Sequence, residues 1–357
     1  MNECGEKILV AMSGGVDSST AALLMCERGY SCTGVMLKLH GRFTDDDKSC
    51  GSAEDIKDAQ SVADRLGMEF CLLDREDRFE REVISRFVNS YMAGETPNPC
   101  VECNRYMKFG ALFEYAREHG CEYIVTGHYA RVEYDPKYGR RVLKRAADET
   151  KDQSYVLYSL TKEQLEHVIF PLGEYTKAEI RDIAETNGLV NAKKKESQDI
   201  CFIPDGKYVD FICRYTEKTF DEGDFIDPQN NVIGRHKGII RYTVGQHKKL
   251  GIVTEVPLYV DRIDPESNSI TLVTDSELYK STVALRDVTW SAIDTPKEEF
   301  RAEAKIRYRH KAAPCTVKAA EDGTVTLIFD ESQRAPAKGQ AAVIYDGDTV
   351  LGGGVII

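Results

Sequence analysis

The chain has 357 residues, which is more than one ordinary hydrophobic core holds and enough for two or three domains. Hydrophobic residues make up 42% and charged residues 30%, a balance that excludes a disordered chain, and the apolar runs are too short for a membrane-spanning helix. Lys and Arg number 47 against 59 Asp and Glu, and the resulting net charge of −12 excludes a general electrostatic attraction to nucleic acid.

Strand-like and helix-like segments alternate in the first part of the chain. The apolar run at 7–12 predicts a strand, and the Ala- and Leu-rich segment after SGGVDSS predicts a helix that ends near Gly29. Further strands are predicted at 33–39, 69–73 and 122–126, with helices between them. Strands separated by helices favour an α/β fold with a doubly wound parallel sheet, whose connecting helices cover both faces.

The helices between these strands carry their own signals. Ser52, with Asp55 three residues later, is a capping-box pattern that begins one helix. Another helix is expected to bury one face, which carries Phe79, Val83, Phe87 and Tyr91. We place the domain that these elements form at residues 1–205.

The pattern changes after this first domain. Gly, Asp and Pro accumulate in DEGDFIDPQNN, and two runs at 258–263 and 269–273, separated by DPESN, predict a β-hairpin. Later alternating runs such as RAEAKIRYR, TVTLIF and QAAVIY predict an antiparallel β-barrel or a sandwich. We therefore expect a small mixed or β domain at 206–284 and, as the favoured architecture of the last domain, a C-terminal antiparallel β-barrel at 285–357.

Eleven cysteines occur in a chain whose first ten residues lack the apolar region of a signal peptide. The odd number fits poorly with a complete disulfide framework. We therefore expect a cytoplasmic protein, in which thiols act as metal ligands, as catalysts or as small buried side chains.

Three stretches of the chain, 137–145, 235–249 and 305–311, contain Lys or Arg and no acidic residue. Such local patches can bind a polyanion on an otherwise acidic protein. Solvated loops and strand faces explain each patch equally well when it is considered alone.

The strongest local signal is SGGVDS at 13–18, directly after the first strand and at the start of the first helix. The glycines let the backbone approach a ligand closely, and the N–H groups and dipole at a helix N-terminus favour phosphate. The chain has no G-x-x-x-x-G-K-[ST], so the lysine by which Walker-type loops hold phosphates is missing. The alternative is a glycine-rich turn that binds nothing.

SGGxDS resembles the pyrophosphate loop of N-type ATP pyrophosphatases, which split ATP between its α- and β-phosphates and adenylate an acceptor oxygen. Further motifs are TPNPCVECNRYMKF at 96–109, TGHYAR at 126–131, KDQS at 151–154, ESQDICFI at 196–203, GQHKKLGI at 245–252 and GQAAVIYDGDTVLGGG at 339–354. In this order, and over essentially the whole chain, these motifs resemble the tRNA-specific 2-thiouridylases, the MnmA family. The resemblance implies a PP-loop ATPase domain with a HUP-like fold, followed by two domains that contact tRNA.

The resemblance also implies an activity, that of a tRNA-uridine 2-sulfurtransferase. Such an enzyme adenylates the C2 oxygen of the wobble uridine in the anticodon and replaces this oxygen with persulfide sulfur, giving 2-thiouridine. ATP and Mg²⁺ are the implied cofactors. The implied partners are lysine, glutamate and glutamine tRNAs and a cysteine desulfurase or sulfur-relay protein.

Site residues are implied only where this sequence matches the motifs. Cys103 matches the catalytic nucleophile and Cys201 the persulfide carrier, and the two are expected to form a transient disulfide. Asp17 is expected to help hold magnesium and phosphate. The implied ATP contacts are Ala11, Met12, Ser13, Gly14, Gly15, Val16, Asp17, Ser18, Met36 and Gly127. The implied target-base contacts are Asn98, Pro99 and Cys100, and the implied tRNA contacts are His128, Lys151, Asp152, Gln153, Arg307, Tyr308 and Gln340.

Cys100 departs from the family pattern, in which Asp often follows Asn-Pro. One interpretation is a tolerated small polar substitute, with catalysis left to Cys103 and Cys201. In another, the three thiolates hold an iron–sulfur cluster with one open iron. Considered apart from the family, Cys100 and Cys103 form a CxxC that suits a redox pair or half of a zinc site.

Two other functions compete with sulfur transfer. One is an amidating or ligating pyrophosphatase, such as a tRNA lysidine synthetase or an argininosuccinate synthase. The other is a non-catalytic ATP-sensing module. Neither needs the two cysteines, so loss of activity on thiol alkylation would separate them from a sulfurtransferase.

Overall fold

The computed structural model describes residues 5–39, 51–194 and 200–357. The strands of its N-terminal part are β1 (Lys7–Ala11), β2 (Ser31–Lys38), β3 (Glu69–Asp74), β4 (Tyr123–Val125), β5 (Arg131–Asp135), β6 (Arg140–Lys144) and β7 (Val168–Ile169). Five of these strands form one parallel sheet in the order β3-β2-β1-β4-β7, which confirms the predicted parallel sheet.

Helices follow most of these strands. They are α1 (Val16–Glu27), α2 (Ala53–Leu66), α3 (Glu76–Phe79), α4 (Ser85–Met92), α5 (Pro99–Glu102), α6 (Leu112–Glu118), α7 (Ser154–Leu157), α8 (Lys162–Glu166) and α9 (Lys177–Thr186). Two π-helical stretches, Glu80–Ile84 and Cys103–Ala111, join α3 to α4 and α5 to α6. Among the described residues, no helix is long and apolar enough to cross a membrane.

The helices cover both faces of the parallel sheet. On one face, Val10 of β1 packs in a buried cluster with Val62 of α2 and Ile180 of α9. On the other, Leu9 packs with Leu112 of α6. Alternate residues of one strand therefore point into two cores, as the doubly wound prediction requires.

Two local predictions about the helices are confirmed. The Ser52 hydroxyl accepts a hydrogen bond from the backbone N–H of Asp55, and the Asp55 carboxylate accepts one from the N–H of Ser52. The other prediction concerned an apolar helix face, which the structure distributes over α3, the π-helical stretch Glu80–Ile84 and α4. This face is buried at all four predicted positions, Phe79, Val83, Phe87 and Tyr91.

The central region is a small mixed domain. Its elements are α10 (Tyr208–Thr216), β8 (Gly223–Ile226), β9 (Val232–His236), β10 (Tyr259–Asp264) and β11 (Ser269–Val273). The strands form a sheet in the order β10-β11-β8-β9. β10 and β11 pair antiparallel, which confirms the predicted hairpin.

The C-terminal region is a closed barrel. Its strands are β12 (Tyr279–Trp290), β13 (Phe300–Lys305), β14 (Ala313–Ala319), β15 (Val325–Arg334), β16 (Ala341–Asp346) and β17 (Thr349–Ile356). They follow the order β12-β15-β14-β13-β16-β17, and pairing of β12 with β17 closes the ring. Of the two predicted architectures, the barrel is therefore the one observed.

The hairpin of β5 and β6 connects the first domain to this barrel. Lys144 at the end of β6 pairs with Thr349 of β17, so the hairpin extends the barrel sheet. Lys137 forms an ion pair with Asp346, and Arg131 forms one with Asp348 at 2.7 Å. Lys137 of the basic stretch 137–145 is thus neutralised by a barrel carboxylate.

Candidate active site

The SGGVDS loop packs tightly against its neighbours, so that Gly14 of the loop and Gly127 of the TGHYA segment beside it have no room for a side chain. Gly14 has a φ of +71°, and a Cβ there would lie 2.5 Å from the backbone oxygen of Asp55. A Cβ on Gly127 would lie 2.7 Å from the backbone carbon of Asp17. The TGHYA segment therefore meets the first turn of α1 backbone to backbone.

Hydrogen bonds within the loop fix its shape. The Ser18 hydroxyl donates to the carbonyl of Gly15 and accepts from the N–H of Ser13, both at 3.1 Å. The buried Asn191 side chain donates to the carbonyl of Gly14 at 3.0 Å and to the Ser19 hydroxyl at 2.8 Å. Gly15, the N-cap of α1, has no side chain to occupy the first turn, so this end of the helix suits an anion.

The other predicted nucleotide positions are mostly interior. Met12, Val16 and Met36 are almost fully buried in the core of the sheet, and Ala11 is half-buried at the end of β1. Nucleotide contacts at these positions would come from the backbone rather than from the side chains, and they stay predictions.

The Asp17 carboxylate has two partners that the sequence did not indicate. The Lys177 ammonium lies 2.7 and 2.8 Å from its two oxygens, and the Tyr129 hydroxyl donates to it at 2.9 Å. Lys177 stands 160 residues away along the chain, as the first residue of α9. Because the contact spans two helix N-termini, no local pattern could predict it.

A cavity of about 1180 Å³ opens beside this loop. Its lining combines predicted nucleotide, thiol and tRNA residues from the first domain and the barrel. These are Asp17, Asn98, Pro99, Cys100, Cys103, His128, Lys151, Asp152, Gln153, Cys201 and Tyr308. Of the segment 196–203, residues 196–199 lie outside the described residues.

The Asn-Pro dipeptide begins the helix that carries two of the cysteines. The Asn98 side chain caps α5 by accepting a hydrogen bond from the N–H of Cys100 at 3.2 Å, and Pro99 occupies the first helical position. Cys103 stands one turn after Pro99 and, like Cys201, is half-buried against one apolar cluster. Two thiols from distant segments therefore line one cavity.

Cys100 is an exposed residue in the cavity lining. Desolvation raises the pKa of the Cys100 thiol, and the Lys108 ammonium opposes the shift. Among the described residues, no group of three or more His, Cys, Asp or Glu side chains is arranged to hold a metal ion. Cys100, Cys103 and Cys201 thus share a cavity without forming a ligand set.

His128 forms part of the cavity wall as a neutral ring. Burial, reinforced by the Lys108 ammonium, lowers the pKa of His128 well below its ordinary value. Its Nε2 lies 3.2 Å from the Lys108 Nζ and its Nδ1 lies 2.6 Å from the Thr126 hydroxyl. Since an ammonium can only donate, we assign the ring proton to Nδ1. Lys108 lies within the motif at 96–109, but the sequence did not single it out.

The KDQS segment is held in place by its own polar side chains. The buried Asp152 carboxylate accepts from the N–H groups of Ala146 and Ser154, and the Gln153 side chain accepts from the N–H of Tyr129 at 2.9 Å. The Tyr308 hydroxyl donates to the carbonyl of Asp152 at 3.0 Å. These bonds fix the segment against the barrel at the edge of the cavity.

Arg307 and Gln340, also predicted to contact tRNA, lie away from the cavity lining and bind backbone carbonyls. The Arg307 guanidinium donates to the carbonyls of Val244 and Ala335 at 3.0 and 2.8 Å. Burial lowers the pKa of Arg307. The Gln340 amide donates to the carbonyl of Thr96 at 2.8 Å, two residues before Asn98. Both side chains join the barrel to other parts of the fold, and their contact with tRNA stays a prediction.

Other residues of the basic stretches do reach the cavity. Arg145 from the first stretch lines it, as do Lys305, Arg309 and Lys311 from the third. Burial lowers the pKa of Lys305. In the described parts of the chain, the lining takes no residue from 235–249.

Comparison with known protein families covers nearly the whole chain. Residues 6–205 match the model described as tRNA methyl transferase HUP domain. Residues 209–274 match the tRNA methyl transferase PRC-barrel domain, and residues 280–356 match the aminomethyltransferase beta-barrel domain. The three matches follow one another in the order of the three observed folding units.

Among solved structures, a 4-thiouridine synthetase in complex with RNA and ATP is similar at a TM-score of 0.40 and 20% identity. That alignment covers 57% of this chain and 46% of the synthetase chain, and at this score it carries no weight.

Full-length relatives are more informative. The tRNA-specific 2-thiouridylase MnmA of Clostridioides difficile is 43% identical over 356 residues, covering 98% of both chains. The tRNA-specific 2-thiouridylase MnmA 1 of Caldanaerobacter subterraneus subsp. tengcongensis is 45% identical over 358 residues, covering 99% of this chain and 98% of the relative. The chain therefore belongs to the tRNA-specific 2-thiouridylase family.

Proposed function

We propose that this chain is an ATP-dependent tRNA-uridine 2-sulfurtransferase that converts the wobble uridine of the anticodon to 2-thiouridine. The observation that carries the proposal is the shared cavity, whose lining includes the SGGVDS aspartate and both motif cysteines. The nucleotide loop that carries Asp17 and the thiols of Cys103 and Cys201 have to face the same C2 atom of the uridine, because its oxygen is activated there and replaced by sulfur. The name of the full-length relatives supports the same substrate and product.

The nucleotide is assigned to the loop at 13–18. Gly14 and Gly127 let neighbouring backbone pack tightly around the loop, and the start of α1 favours phosphate. Mg²⁺ in such sites is held by one or two carboxylates together with phosphate oxygens, and Asp17 is the carboxylate of this loop. The bound ion would supply positive charge to the phosphates.

The target base is assigned to the part of the cavity beside Asn98, Pro99 and Cys100. A wobble uridine is stacked in the anticodon, so it has to turn out into the cavity at a cost of a few kcal/mol. Lys305, Arg309 and Lys311 at the rim would bind the phosphates of the RNA and offset this cost. Lysine, glutamate and glutamine tRNAs are the proposed acceptors.

The two cysteines divide the sulfur chemistry. Cys201 carries a persulfide received from a cysteine desulfurase or relay protein. Attack of the Cys103 thiolate on the Sγ atom of the Cys201 persulfide breaks the Sγ–S bond, releases the outer sulfur as hydrosulfide and leaves a Cys103–Cys201 disulfide, which a reductant must reopen. The sulfur displaces AMP from the adenylated C2 position. Both thiols line the cavity, so the sulfur need not leave the site.

The decisive experiment combines the protein with ATP, a cysteine desulfurase, cysteine and unmodified tRNA, followed by nucleoside analysis. We expect 2-thiouridine at the wobble position and one AMP for each sulfur transferred. AMP formation without any thionucleoside, resistant to thiol alkylation, would instead favour an amidating or ligating pyrophosphatase.

Binding of tRNA by this acidic protein is expected to depend steeply on salt. Each phosphate neutralised should contribute a log–log slope of about −0.7 to −0.9. Lys311→Ala, at the cavity rim, should weaken binding and flatten the slope by about one unit in a filter-binding titration. Lys318→Ala, an exposed lysine of the same barrel outside the lining, is the matched control. Equal slopes for the two variants would contradict the assignment of this rim to tRNA.

The persulfide route and the iron–sulfur alternative make different predictions for Cys100. Because the described thiols do not form a metal-ligand group, we expect an iron-free preparation supplied with Mg²⁺ to retain full activity and Cys100→Asp to remain active. The measurement is iron and sulfide content after anaerobic purification, beside thiolation rates. The persulfide route would be overturned if the wild-type protein contained stoichiometric iron and Cys100→Asp lost both the iron and the activity.

A further inference from the structure

The nucleotide loop lacks the lysine that Walker-type loops use, and the fold brings a lysine to it from elsewhere. The Lys177 ammonium lies within 2.8 Å of both oxygens of Asp17, and its side chain is only 12% exposed. It also lies 5.6 Å from the centre of the Tyr129 ring, whose hydroxyl binds the same carboxylate. Lys177 is thus held at the loop by two other side chains.

The position of Lys177 is unusual for a cation. It is the first residue of α9, at the end of the helix dipole that repels positive charge. Asp17 stands in the first turn of α1, so the positive ends of two helices converge here. A lysine at this point needs a nearby anion, and an aspartate beside a bound triphosphate needs a nearby cation.

We propose that Lys177 is a phosphate-contacting residue, which neutralises Asp17 before the nucleotide binds and holds the pyrophosphate moiety of ATP once it is bound. This inference rests on the proposed function, because it takes ATP as the ligand of the loop. Lys177 would then take the role of the missing Walker lysine. It would do so from α9, the last helix of the domain, rather than from the loop itself.

The test is nucleotide affinity, measured by calorimetry with ATP, pyrophosphate and AMP, each with and without Mg²⁺. Lys177→Met should lower the affinity for ATP and pyrophosphate at least about tenfold and leave AMP within about twofold. Lys177→Arg, which keeps the charge, should retain most of the ATP affinity. Lys207→Met, an exposed lysine paired with Asp205, is the control and should bind all three ligands normally.

A double variant separates contact with phosphate from neutralisation of Asp17. Asp17→Asn/Lys177→Met removes both charges of this ion pair and should bind ATP at least about fivefold more weakly than Asp17→Asn alone. Equal affinity of these two variants, or equal losses for ATP and AMP in Lys177→Met, would overturn the inference while the proposed function stands. Wild-type protein that binds neither ATP nor AMP would refute the proposed function itself.

Discussion

Replacement of Asp17 by Ala is expected to lower the rate of tRNA adenylation at least about 100-fold. The change removes the carboxylate of the nucleotide loop and its ion pair with the Lys177 ammonium, which lies 2.7 Å from it. Binding of tRNA should survive, because the cations assigned to the RNA belong to the barrel and the KDQS segment. The measurements are release of pyrophosphate in the presence of tRNA and filter binding of the tRNA.

The control for this variant is Asp135→Ala, which breaks a similarly buried ion pair. Asp135 lies 3.0 Å from Lys144 in the β5–β6 hairpin, and both side chains are about as shielded as the Asp17 pair. Asp135→Ala should release pyrophosphate at the wild-type rate. Near-normal pyrophosphate release by Asp17→Ala would show that the loop at 13–18 is not part of the nucleotide site.

Single serine substitutions are expected to separate the two catalytic thiols. Cys201→Ser should carry no persulfide after incubation with a desulfurase and cysteine, because the acceptor sulfur is gone. Cys103→Ser should become persulfidated yet form no detectable 2-thiouridine, because the thiolate that attacks the persulfide is missing. The measurements are persulfide labelling followed by mass spectrometry and nucleoside analysis.

Cys213→Ser serves as the control for the thiol variants. Cys213 packs against the same apolar cluster as Cys103 and Cys201 but lies outside the cavity lining, so its substitution should leave both readouts unchanged. If Cys103→Ser and Cys201→Ser gave the same persulfide labelling, the proposed division of roles between the two cysteines would be wrong, even if both residues were essential for activity.

What could be predicted from the sequence was local or periodic. The Ser52–Asp55 capping box, the buried face from Phe79 to Tyr91 and the β10–β11 hairpin each depend on residues close in the chain, and each is confirmed. The parallel sheet followed from the alternation of strands and helices.

What could not be predicted depends on residues that only the fold brings together. Lys177 meets Asp17, and Asn191 binds the Gly14 carbonyl, although nothing near residues 177 or 191 indicates a nucleotide site. Arg307 shows the opposite case. Its position in a basic run suggested a surface cation, but its guanidinium binds two backbone carbonyls inside the protein.

The β5–β6 hairpin has a consequence for how the enzyme can accept an RNA. The hairpin joins the parallel-sheet domain to the barrel by strand pairing at Lys144 and by ion pairs to Asp346 and Asp348. Across the cavity, Tyr308 adds a bond to the carbonyl of Asp152. A clamshell opening of the two walls would have to rupture all of these contacts together. We therefore expect the anticodon loop, rather than the two cavity walls, to change shape when the RNA binds.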